Sequence, residues 1–200
     1  MKGSLIILGF FTAGLLLGFY HIIPDSLIKD EYSSYALYFL MFLVGIGVGA
    51  DSRALQALKS FNFRIFLVPL TTIIGTAIGV SFVYLLIPDL SFKDAQAVGS
   101  GYGYYSLSSI IITETYSKSL GVVALLANVM REIITLLAAP LIAIYFGKIA
   151  PICSGGATSM DTTLPIITKA SGKEFAIVSL FHGIVLTILV PIIVSLILSL

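Results

Sequence analysis

Long apolar runs separated by short polar connections set the organisation of the chain. Residues 4–22, 32–49, 65–87, 119–146 and 175–198 each have the length of a membrane-crossing helix, since about 20 residues rising 1.5 Å each cover ~30 Å of hydrocarbon. Two further stretches, 95–113 and 149–170, are equally long but carry clustered Gly, Pro, Ser and Thr. Glycine and proline loosen a helix and free backbone groups that lipid cannot satisfy, so these two are predicted to be interrupted or kinked spans. The pattern predicts an all-α polytopic membrane protein of about seven transmembrane segments, forming a single transmembrane domain over residues 1–200.

Composition agrees with that reading. Hydrophobic residues make up 58% of the chain and charged ones 10%, against roughly 45–50% and about 25% in soluble domains. A net charge of +1 excludes the basic footprint of nucleic-acid binding, leaving small solutes, membrane lipid or other membrane chains as partners. No cofactor or metal site is expected, and the lone Cys153 has no partner for an internal disulfide. The first run continues without a small-residue cleavage site before Pro24, so it is read as a retained span rather than a signal peptide. If all seven segments cross, Lys2, Arg53, Lys59, Arg64, Lys118, Lys169 and Lys173 fall on one side and Lys29, Lys93 and Lys148 on the other. That seven-to-three bias puts the amino terminus in the cytoplasm and the carboxyl terminus outside the plasma membrane. A re-entrant segment would undo the assignment.

Ionisable groups at membrane depth are costly and point to function. Arg131 and Glu132 fall in the middle of the run 119–146, where insertion of such a group costs about 2.5–3.5 kcal/mol. Neighbouring helix positions point about 100° apart, so each of the two needs its own partner or water. Asp161 lies in Pro151-Ile-Cys-Ser-Gly-Gly-Ala-Thr-Ser-Met-Asp-Thr-Thr-Leu-Pro165, where Gly155, Gly156 and Pro165 break the helix and Ser154, Thr158, Ser159 and Thr162 offer hydroxyls. This is the sequence form of a broken transporter helix; a proline-kinked packing helix would leave Asp161 without a reason. In the other interrupted stretch, Gly99, Gly101 and Gly103 alternate beside Tyr102, Tyr104, Tyr105 and Ser106. It lacks the Lys-Ser/Thr of a nucleotide loop. Two readings of it stand side by side: a loosened span lining a wet cavity, or close helix packing through small residues. Glu114 reads as interfacial, and His182 as a hydrogen-bonding partner of a neighbouring helix.

An intramembrane hydrolase would need a pair such as Ser154 with His182 or Glu132 with Asp161, but the sequence contexts of such proteases are absent. A membrane scaffold gives no reason for acids at mid-depth. A secondary transporter accounts for both acids and both interruptions.

Gly-Tyr-Gly-Tyr-Tyr-Ser-Leu-Ser at 101–108, Arg131-Glu132 within a span, and Gly-Gly-Ala-Thr-Ser-Met-Asp-Thr-Thr-Leu-Pro at 155–165, in this order, resemble the LysO lysine exporter family. The likeness extends to Phe42-Leu-Val-Gly-Ile-Gly-Val-Gly49 and to His182-Gly183. It implies export of L-lysine and its analogues, with Glu132 and Asp161 as the substrate- and proton-binding acids. Tyr104, Ser106, Asn128, Arg131, Thr158, Ser159 and Thr162 are then expected to support the cavity. The resemblance also implies an inverted-repeat transporter of which this chain is one half plus part of the other. The first span and the Asp161 span are expected to form its crossing pair. The spans that family members carry ahead of this chain's first are expected from a small membrane subunit or a second copy.

Coupling follows from charge. Moving a net +1 solute outward against an inside-negative potential costs about 2.3 kcal/mol per 100 mV, and exchange for one inbound proton cancels it. Desolvation favours the neutral form of a carboxylate, which can therefore alternate between a proton and an ammonium. Lysine/proton antiport is the expectation; the alternative is a sodium/proton antiporter built on the same two acids.

Overall fold

The computed structural model describes residues 13, 16–20, 35, 39, 42, 46, 63–88 and 90–200. The chain divides into two compact units, Met1–Met41 and Phe42–Leu200. In the first, residues 16–19 are helical and the rings of Phe19 and Tyr20 meet edge to face at 5.4 Å. The spans expected at 4–22 and 32–49 lie mostly outside the described residues.

Every regular element described in the second unit is helical. They are α1 (Phe63–Leu86), α2 (Phe92–Gly99), α3 (Tyr105–Thr115), α4 (Lys118–Phe146), α5 (Ala150–Gly155), α6 (Leu164–Ser171) and α7 (Ala176–Ser199), with short 3-10 turns at Gly156–Met160 and Lys173–Phe175. Three segments among the described residues, Ile65–Leu86, Lys118–Phe146 and Lys173–Ser199, are long and apolar enough to cross a membrane. The faces of α4 show what solvent it is built for. Leu126, Met130, Ile133, Leu137, Leu141 and Ile144, spaced three and four apart, form an exposed apolar stripe. Gly121, Ala124, Asn128, Thr135 and Ala139 form the buried one. The polar groups point inward and the apolar ones outward, as lipid requires.

The two interrupted stretches do not cross the bundle. Lys93, at the start of α2, places its ammonium 5.0 Å from the ring centre of Tyr116, just beyond α3. Asp94 also lies beside that phenol and pushes its pKa above the ordinary tyrosine range, first by hydrogen bonding to the protonated hydroxyl and then by opposing the phenolate charge. A helix continuing from 92 to 115 would separate these ends by roughly 35 Å at 1.5 Å per residue. In the same way Lys148, ahead of α5, reaches Glu174 Oε1 at 3.8 Å and the Phe175 ring at 6.0 Å, both beyond α6. Each stretch is therefore a re-entrant hairpin, and the expectation that both make full crossings is corrected. Since α4 joins the outer end of the first hairpin to that of the second, the two enter from opposite ends of the bundle.

Local sequence explains the hairpin form. Ser91 caps α2 by accepting from Asp94 N (3.0 Å), and Ser117 caps α4 by accepting from Leu120 N (3.4 Å). Between α2 and α3 the chain turns through successive tight bonds, Gly101 N to Val98 O, Tyr102 N to Gly99 O and Tyr104 N to Gly101 O. Pro151 and Pro165 sit in the first turns of α5 and α6, where no amide is lost. The hairpin tips meet: Ala157 N–H donates to Tyr102 O at 2.8 Å. Close approach depends on Gly103 (φ +89°) and Gly156 (φ +63°), because a Cβ on Gly156 would run into the Tyr102 carbonyl. Tyr102 itself holds a left-handed backbone, φ 44°, at a cost of about 1–2 kcal/mol.

Gly156→Ala should therefore lower the thermal unfolding midpoint in mild detergent, by the equivalent of about 2–4 kcal/mol when left-handed strain and overlap add. Gly79→Ala, where a Cβ meets nothing within 4 Å, should leave the midpoint unchanged or slightly raised.

Candidate functional site

Four helix ends come together where the tips meet, and each has backbone groups left over by the end of its ladder. The carbonyl ends are served by side chains of α4. Asn128, buried, donates through Nδ2 to Val98 O (3.1 Å) at the end of α2 and to Ala124 O (2.9 Å), while its Oδ1 accepts from Gly103 N (2.8 Å). Arg131 donates to the end of α5, from Nε to Ser154 O (2.9 Å) and from Nη2 to Cys153 O (2.8 Å), and reaches Thr76 Oγ1 on α1 from Nη1 (3.4 Å). A cation at a helix C-terminus also complements the helix dipole. Thr135 and Ser154 hydroxyls lie 2.7 Å apart beside this clamp.

The second tip is tied to α7 and α1. Ser159 Oγ donates to Ser179 O (2.9 Å), and Ser179 Oγ returns a bond to Ser159 O (2.8 Å). His182 bridges Ser159 Oγ (3.0 Å) and Thr72 Oγ1 (2.9 Å), linking the tip to a neighbouring helix. Gly183 makes room for this seat, since a Cβ there would lie 2.8 Å from Ala157 O and Met160 N.

Around the tips lies a cavity of about 180 Å³ lined by Gly103, Tyr104, Tyr105, Ser106, Glu132, Ala157, Thr158, Met160, Asp161, Thr162 and Thr187. Both acids reach it. Asp161 ends the 3-10 turn, and its Oδ1 accepts from the backbone amide and the hydroxyl of Thr162, which fixes the carboxylate at the entrance to α6. Glu132 reaches the cavity from α4 at half-buried depth. Thr158, which bonds Gly155 O (2.8 Å) and lies 3.3 Å from Thr163 Oγ1, forms part of the wall. The arrangement offers two carboxylates to a small cation and a set of hydroxyls to the rest of it.

The sequence-predicted residues thus separate into two groups. Tyr104, Ser106, Thr158 and Thr162 line the cavity with the acids. Asn128, Arg131 and Ser159, expected there too, are instead braces: their polar atoms go to hairpin backbone, α7 and His182. Asn128 and Arg131 lie against a separate, mostly apolar recess between α1, α2 and α4. Of the helix-breaking positions, Gly103 and Gly156 make the tip contact, Gly99, Gly101 and Gly155 admit neighbouring side chains, and Pro165 opens α6. Glu114 sits at the outer end of the first hairpin, away from the cavity. Thr187 was not foreseen. Its signal was a lone hydroxyl in an apolar helix, four residues after Gly183 and so on the face that seats the tip.

The model of the family described as "Lysine exporter LysO" matches residues 8–198. Among curated proteins, the "Lysine exporter LysO" of Escherichia coli (strain K12) is 34% identical over 166 residues, 82% of this chain and 54% of that protein. The "Putative lysine exporter" of Haemophilus influenzae is 31% identical over 157 residues, 78% of this chain and 79% of that protein. The chain thus spans about half the length of the first of these relatives. No solved structure matches it.

If Arg131 holds the second hairpin in place, Arg131→Met should destabilise the protein by about 2–5 kcal/mol, because two part-buried carbonyls lose their donors. Arg131→Lys, which keeps the charge but not the fork, should fall between it and wild type. Thermal unfolding of the purified variants in detergent checks the order.

Proposed function

The chain belongs to the lysine exporter LysO family, and on that footing we propose that it moves L-lysine out of the cytoplasm in exchange for protons. The observation that carries this reading is the cavity in which Glu132 and Asp161 meet at the hairpin tips. Its size suits a small solute, and its two acids suit the ammonium groups of lysine. Export of a net positive charge against the membrane potential costs about 2.3 kcal/mol per 100 mV, and a proton returning on the vacated carboxylate offsets it.

The topology supports a transporter. α1 followed by the first hairpin and α4 followed by the second have the same span-then-hairpin order and opposite direction, the relation of inverted repeats. We read the site as lying where these repeats meet, and both compact units as working in one transporter domain. Among the described residues, Arg64, Lys148, Lys169 and Lys173 fall at the end from which the second hairpin enters, and Lys93 and Lys118 at the other, a bias that favours a cytoplasmic position for the second hairpin's end. The carboxyl terminus is then outside a plasma-membrane protein.

Efflux of labelled lysine from loaded proteoliposomes tests the proposal. Asp161→Asn and Glu132→Gln should each reduce the rate at least ~100-fold, the scale of about 3 kcal/mol, while remaining folded, and Glu114→Gln should change it by less than about twofold. Acidifying the outer buffer should accelerate wild-type efflux, since the outer proton is the exchanged ion. Lysine flux retained by Asp161→Asn would remove the site. Sodium-dependent proton movement without lysine flux would replace the proposal with the sodium/proton reading.

A further inference from the structure

The cavity has a second chemical character besides its acids. The carbonyl ends of the hairpin helices are occupied by Asn128 and Arg131, but the amide end of α3 is not capped by any side chain. α3 runs for 11 residues from Tyr105, and its first-turn amides belong to residues that also line the cavity, Tyr105 and Ser106. Across from the tips, α7 contributes Thr187, which is 4% exposed. Its Oγ1 is buried with no hydrogen-bond partner, although a threonine hydroxyl in a helix can ordinarily satisfy itself on the preceding turn, as Thr72, Thr115 and Thr135 do here. An orphaned buried hydroxyl is destabilising unless something arrives to use it.

We infer that the α3 amino terminus and the Thr187 hydroxyl form a subsite for the α-carboxylate of the transported amino acid. The subsite rests on the proposed lysine reading and divides the labour within one cavity. Glu132 and Asp161 take the cationic groups, and the uncapped amides and Thr187 Oγ1–H donate to the α-carboxylate, with the helix dipole favouring its charge. The donors lie on the first hairpin and α7, and the acids on the second hairpin and α4. A ligand joined to both sets therefore bridges elements that enter from opposite ends.

Binding of lysine and of cadaverine, its counterpart without the carboxylate, separates the possibilities, measured on purified protein in detergent by displacement of labelled lysine. Thr187→Val keeps the shape and removes the hydroxyl. Lysine affinity should fall about tenfold, one hydrogen bond to a charged group, while cadaverine affinity stays within about twofold. Thr187→Ser should restore lysine binding. The thermal midpoint of unliganded Thr187→Val should equal or exceed that of wild type, because no structural bond is lost; a lower midpoint would make the hydroxyl a structural group and overturn the subsite. Unchanged lysine affinity, or an equal loss for lysine and cadaverine, would also overturn it while leaving the acid site standing. Wild-type protein that binds neither compound would remove the lysine reading and the subsite with it.

Discussion

Four helix ends brought together inside an apolar bundle create a single problem: backbone groups that lipid cannot hydrate must find partners within the chain. The protein solves it unequally. The carbonyl ends of α2 and α5 are met by Asn128 and Arg131, three residues apart on one face of α4. The tips are joined by the bond from Ala157 N to Tyr102 O. The amide ends have no side-chain cap: at α6 the Asp161 main-chain carbonyl accepts from Leu164 N, and at α3 the amides face the cavity. Much of what is distinctive here follows from that inequality. The glycines are needed where backbones touch, the arginine is needed where carbonyls converge, and the cavity opens where amides and acids are left over.

Much of this was legible in the sequence. Apolar runs gave the three long helices of the second unit, and the glycines of 95–113 and the Gly and Pro residues of 149–170 marked the irregular segments because helix-breaking residues amid apolar ones have few other uses in lipid. Glu132 and Asp161 stood out because a carboxylate at depth is costly. Re-entrance was not legible. A stretch of about twenty residues with a break in its middle has the same composition whether its second half continues or turns back, and the pairs that decide it, Lys93 with Tyr116 and Lys148 with Glu174, are ordinary interfacial residues until folded. Nor could sequence separate braces from cavity walls: Asn128 and Glu132 are four residues apart on α4, yet one bonds to backbone and the other reaches the cavity. The direction of each side chain is fixed by the hairpins packed on α4, which pattern alone does not reveal.

Two hairpins entering from opposite ends give the site its position. Each turns back within the bundle, and α4 and α7 carry Glu132 and Thr187 to the cavity around their tips. The charge bias of the two ends agrees with this topology. Its most direct test is the side from which the hairpin ends can be reached. In a Cys153→Ser background, single cysteines at Lys93, Lys118, Lys148 and Lys173 would be exposed to a membrane-impermeant thiol reagent in vesicles of known orientation. Two opposed hairpins require the cysteines at 148 and 173 to react from one side and those at 93 and 118 from the other. Reaction of 148 and 173 from opposite sides would contradict the account, because the stretch between them would then cross the membrane.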